Sequence, residues 1–137
     1  MVAAVRTVKQ FLTYVNGAPF QPGVAVGLGL PDEYFIGAAA DLGSRRDRLC
    51  DGLVDAGFEV YRPAATYFAM ADIQPLGHHD GMVLCDELPE RCGVVAVPAS
   101  VFSDDREAGR SLVRFAFCKR PEAIDDAVRR LRALRRS

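Results

Sequence analysis

The stretch Ser111-Leu112-Val113-Arg114-Phe115-Ala116-Phe117-Cys118-Lys119 constrains the fold most, because it sets one permanent positive charge in the middle of an otherwise apolar strand. Side chains alternate across a strand, so Val113, Phe115 and Phe117 share one face and Leu112, Arg114 and Ala116 the other. The first face belongs in a core. The second is apolar on both sides of Arg114, so its guanidinium emerges from an apolar setting and calls for an anionic partner. A carboxylate suits it best, since a guanidinium grips one with two parallel hydrogen bonds. The strand alone leaves two alternatives open: a solvated sheet face, or an internal pair with Asp or Glu.

A chain of 137 residues is one domain by length and buries roughly two-thirds of its unfolded surface. Half of it is hydrophobic and its net charge is -1, a balance that argues against disorder and against a general polyanion-binding surface. Cys50, Cys85, Cys92 and Cys118 are widely spaced, with no C-x-x-C pair and no His at ligand spacing. Reduced, partly buried thiols in a cytoplasmic protein are therefore expected rather than zinc or thioredoxin-like chemistry. His78-His79-Asp80 is a poor metal site, because adjacent histidines diverge on any regular element and nothing nearby completes a shell. The amino terminus is not built like a secretory signal, and no run of 18 or more uncharged apolar residues suggests a membrane span.

In chain order, Val2 to Val15 has the periodicity of a helix, with Val5, Val8, Leu12 and Val15 along one side. Asn16 to Gly23 is the clearest loop, with Phe20 between two prolines, and a short helix is expected over Val24 to Leu28. Asp32 is placed to cap a long helix running to about Ala56, with Gly57 as its stop and Phe35, Ala38, Leu42, Leu49 and Leu53 as its buried stripe. Gly37, Gly43 and Gly52 weaken it by roughly 1 kcal/mol each relative to alanine, so packing must hold it. Arg46 falls beside the stripe, where its stem covers apolar surface and its head reaches water.

Phe58 to Tyr61 and Tyr67 to Asp72 form an expected hairpin about Arg62-Pro63-Ala64-Ala65-Thr66. A helix follows over Asp80 to Arg91 with Met82, Val83, Leu84 and Leu88 making its apolar contacts, then a short strand Val94 to Val97 and a loop Ala99 to Arg110. Pro121 opens the last helix, with the stripe Ile124, Ala127, Val128, Leu131 and Leu134. Its basic end, Arg132, Arg135 and Arg136, complements the helix dipole. No aromatics interleave there, so nucleic-acid binding is not expected. The order of elements predicts an α+β fold: a small, mostly antiparallel sheet covered by helices.

Five blocks, in this order and spacing, resemble the carboxyl-terminal part of class I/II pyridoxal-phosphate aminotransferases, closest in character to the kynurenine/methionine-type and succinyldiaminopimelate enzymes. They are Arg45-Arg46-Asp47, Gly57-Phe58-Glu59-Val60, Pro63 to Phe68, Gly93 to Phe102, and Val113 to Lys119. The resemblance implies that Arg114 binds the substrate α-carboxylate and that Phe20 contacts substrate from a segment reaching a neighbouring subunit of a homodimer. It also implies pyridoxal 5'-phosphate, an amino acid and a 2-oxo acid as the complete enzyme's cofactor and substrates. The family's hairpin turn usually carries glycine before the hydroxyl residue and the aromatic pair, whereas Ala65 stands there in this chain.

The two lysines, Lys9 and Lys119, do not match the family's cofactor lysine. Residues 32–137 therefore resemble the enzyme's small domain and residues 1–31 the helices and loop leading into it from a cofactor domain. The chain alone is expected to be inactive. A stand-alone α+β module that binds an amino acid or other carboxylate without chemistry is the alternative.

Overall fold

A computed structural model describes residues 1–12 and 17–136, the last by its backbone alone. Two compact units divide the chain, residues 1–37 and residues 38–137. The first contains helix α1 (Val2–Leu12), a 3-10 turn at Ala18–Phe20, helix α2 (Gln21–Leu28) and the start of helix α3 (Asp32–Asp55). No residue of α1 or α2 is buried. The expected continuation of α1 to Val15, and the loop's first residue Asn16, lie outside the described residues. The loop is shorter than its prolines suggested: Pro22 occupies the first turn of α2, where a missing N–H costs nothing and a fixed φ favours the helix. Asp32 is likewise the first residue of α3 rather than its cap, and the Pro31 carbonyl accepts from the Tyr34 N–H.

The second unit holds the rest of α3 and a four-stranded antiparallel sheet, β1 (Glu59–Tyr61), β2 (Phe68–Asp72), β3 (Val97–Pro98) and β4 (Leu112–Ala116), in the order β1-β2-β4-β3. Helix α4 (Gly81–Cys92) precedes β3, and helix α5 (Pro121–Leu131), extended by a 3-10 segment over Arg132–Arg136, follows β4. The expected α+β architecture is present. Leu49 and Leu53 of α3, Leu84 and Leu88 of α4, and Ile124, Val128 and Leu131 of α5 join Ala69, Ala71, Val113, Phe115 and Phe117 in one core. The alternation holds through β4 and on to the residue after it: Val113, Phe115 and Phe117 are buried, while Leu112, Arg114 and Ala116 are half-buried.

Some apolar positions fall elsewhere than periodicity placed them. Phe35 and Ala38 are exposed, as are Met82 and Val83 on the outer side of α4. The strand expected at Val94 to Val97 pairs only at Val97 and Pro98, yet Val94 and Ala96 are buried without joining the ladder.

Gly52 has a packing reason. A Cβ there would lie 2.4 Å from Val128 Cγ1, so the bare backbone lets α3 approach α5. At Gly43 nothing among the described residues lies within 4 Å of that position. Gly52→Ala is therefore expected to lower unfolding free energy by about 1–3 kcal/mol through overpacking against a stiff β-branched side chain. Gly43→Ala should raise it by up to about 1 kcal/mol through helix propensity alone. Urea titration of the two variants checks the opposite signs.

Asp80 is the N-cap of α4, accepting from the Met82 N–H at 2.9 Å and the Val83 N–H at 3.4 Å. Desolvation pushes its pKa up, but those two N–H groups and Arg110 outweigh it and hold the carboxyl below its ordinary 3.8. A depressed folded pKa gives stability that is present above the unfolded value and lost as pH falls through the folded one. The melting temperature should therefore fall on acidification below about pH 4, and Asp80→Asn, which keeps a cap, should remove part of that fall.

Candidate functional site

β4 is an inner strand, with Arg114 opposite Met70 on β2 and Val97 on β3. Its side chain rises from the sheet face away from the core. Phe68, paired with Ala116, points from the same face, and the 3-10 turn Ala99–Phe102 after β3 brings Phe102 over it. The guanidinium carbon lies 4.1 Å from the centre of each ring. Tyr67 stacks obliquely on Phe68, at 4.2 Å between centroids.

The hairpin turn that sets this aromatic pair is held from below. Arg46 donates from Nε to Asp47 Oδ1 at 2.9 Å and from Nη1 to the Pro63 carbonyl at 3.3 Å, while Arg62 binds Asp47 at 2.6 Å and also pairs with Asp51. The hydrogen bond from Arg46 leads in holding the Asp47 carboxyl below its ordinary range. Arg46 thus does more than shelter its stem, because its head ties α3 to the turn. Thr66 adopts φ 68°, the one positive value at a non-glycine residue among those described. Its Oγ1 accepts from the Phe68 N–H at 3.4 Å. The left-handed conformation falls on the hydroxyl residue, one position after Ala65. A β-branched residue seldom adopts it, and such strain persists only where surrounding contacts enforce it.

No hydrogen bond or ion pair engages Arg114 among the described residues, and its Nε is buried without a partner. An orphaned buried donor costs about 1–3 kcal/mol. Asp72 projects from the same sheet face but is occupied, accepting from Ser111 Oγ at 3.2 Å and from the Gln74 N–H at 2.9 Å. Of the alternatives left open by the strand, internal pairing is thus not what these residues form. The arrangement is a cation set against two rings, with two terminal nitrogens that no hydrogen bond engages among the described residues, suited to a planar anion that accepts two parallel hydrogen bonds.

Residues 1–131 match the sequence profile of aminotransferase class I and II. The chain belongs to this family. It is 45% identical, over 98% of its length, to the probable N-succinyldiaminopimelate aminotransferase of Mycobacterium tuberculosis. It is 30% identical, over 96% of its length, to the methionine aminotransferase of Escherichia coli. The solved N-succinyldiaminopimelate aminotransferase of M. tuberculosis superposes with a TM-score of 0.88 at 47% identity, covering 97% of this chain. The chain spans about a third of each: 36% and 34% of the two relatives and 35% of the solved chain.

Phe20, the other residue that the resemblance pointed to, is 76% exposed at the end of its 3-10 turn. It belongs to the first unit and Arg114 to the second. The ring partners Phe68 and Phe102 were present in the family-like blocks, but no periodicity marked them as neighbours of Arg114. Their proximity comes from sheet register and the turn after β3. Asp80, part of the His-His-Asp run, serves as a helix cap and ion-pairs with Arg110 at 3.3 Å.

The residues present do not fit pyridoxal phosphate. A lysine that forms an imine must be desolvated and fixed against the aldehyde. Lys9 and Lys119 are both exposed. Lys119 borders a groove of about 340 Å³ whose lining carboxylate, Asp126, is already paired with Arg129 and Arg130. No catalytic step is therefore assigned to this chain through the cofactor.

Proposed function

We propose that this chain is the carboxyl-terminal part of a pyridoxal-phosphate-dependent aminotransferase, which transfers an amino group between an amino acid and a 2-oxo acid in the cytoplasm. Arg114 supplies the anchor for the substrate α-carboxylate. The observation that carries this reading is a guanidinium framed by two rings on the inner strand, without an internal anion, in a chain of the aminotransferase family. Being permanently protonated, Arg114 positions and complements charge and does no acid–base work.

The complete enzyme is a homodimer in this reading. Its cofactor lysine, ring-nitrogen acid and phosphate cradle lie in a preceding domain, to which residues 1–31 lead, while residues 32–137 form the small domain. Phe20 reaches substrate across the dimer. A carboxylate-binding module without chemistry is the second reading, favoured by the lack of a desolvated lysine.

The test joins this chain in frame behind the cofactor-domain segment of the M. tuberculosis relative and follows amino transfer from several donors to a 2-oxo acid. Turnover above that of the cofactor segment alone is expected. A folded, cofactor-loaded chimera without turnover would sink the proposal.

A further inference from the structure

A guanidinium offers an anion two faces and three edges, and the surroundings of Arg114 close most of them. Phe68 covers one approach and Phe102 another, each ring centre 4.1 Å from Cζ, and the Nε edge is buried. What remains is the edge between the two Nη nitrogens. We infer that Phe68 and Phe102 are positioning residues that clamp the Arg114 guanidinium, so that a substrate carboxylate is met only end-on, in the plane held between the rings. This rests on the reading of Arg114 as the carboxylate anchor and adds what gives that anchor its direction.

The clamp accounts for two features otherwise without a reason. Phe102 is 61% exposed at the end of its turn, a placement that gains little from burial but puts a ring quadrupole against a cation. Nε is left unpartnered, a cost that the paired ring contacts offset while keeping the Nη edge forward. The two rings arrive from opposite neighbours of β4, Phe68 from β2 and Phe102 from the turn after β3, so both adjoining strands fix the plane. Lysine could not be held in this way, since an ammonium has no plane to clamp.

The test uses the complete chimeric enzyme. Phe102→Leu should lower kcat/KM for the amino donor by about threefold to tenfold, chiefly through KM, with Phe102→Tyr restoring it. Arg114→Lys should cost less in the Phe102→Leu background than alone, because the plane it destroys is already free. If Arg114→Ala impairs the enzyme while Phe102→Leu and Phe68→Leu leave KM unchanged, the clamp is wrong and the anchor stands. If Arg114→Ala is itself without effect, the anchor fails and the clamp fails with it. A reading that needs no variant comes from the Nε–H proton of Arg114 in this chain: two covering rings shift it upfield of free arginine, and resonance at the free position overturns the clamp.

Discussion

Arg114→Ala in a complete enzyme is expected to lower kcat/KM by roughly ten- to a hundredfold, with the loss falling on recognition of the carboxylate. A charge-assisted hydrogen bond of this kind is worth about 1.5–3 kcal/mol, and each 1.4 kcal/mol is about tenfold in rate. The effect should be similar across amino donors, because every one carries the α-carboxylate whatever its side chain. Arg114→Lys should recover only part of it, since a point charge does not reproduce a fork of parallel donors. Steady-state kinetics with three or more donors decides the matter: unchanged parameters in the alanine variant, or a loss confined to one donor, would count against the anchor.

The chain by itself should give no transamination above a protein-free control. Imine chemistry at a useful rate requires an amine fixed against the cofactor aldehyde, and an exposed ammonium on a flexible stem has no such geometry. Lys9 stands on α1, where no residue is buried, and Lys119 is exposed beyond the end of β4. Added pyridoxal phosphate should therefore bind weakly, without dependence on one particular lysine. The decisive measurement mixes purified chain, cofactor, an amino acid and a 2-oxo acid and quantifies the new amino acid formed. Turnover abolished by changing Lys9 or Lys119 would mean that this chain builds an active site of its own.

How much of this could be read from the residues depends on what kind of information each feature needs. The two faces of β4 and the stripe Ile124, Val128 and Leu131 were legible because burial on one side of a regular element leaves a local period. Arg114 was legible for the opposite reason, as a charge that breaks an apolar period. The stripe on α1 shows the limit of that logic. Val5, Val8 and Leu12 keep helical spacing, yet all three are exposed, because periodicity announces an apolar face and says nothing of what covers it. Gly52 looked like a weakness in α3 until Val128 appeared against it. Phe102 over Arg114 was beyond local reading, since the contact depends on β3 pairing with β4 in one register and on the turn that follows Pro98.

The strand order β1-β2-β4-β3 also governs when the setting of Arg114 comes into being. β1 and β2 are joined by a hairpin and can pair early, but β2 must wait for a partner strand that follows only after α4 and β3, with Ala69 opposite Phe115 and Ala71 opposite Val113. Pairings of such separation close a large loop before they return any stabilisation, and they are the slow events in a folding reaction. Until β4 docks, β2 presents an open edge, the kind of template on which unfinished chains associate. Arg114, Phe68 and Phe102 meet only when that edge is filled. The unpaired guanidinium between its two rings is thus among the last features the chain acquires as it folds, and a chain stalled before that step lacks the site proposed to hold a carboxylate.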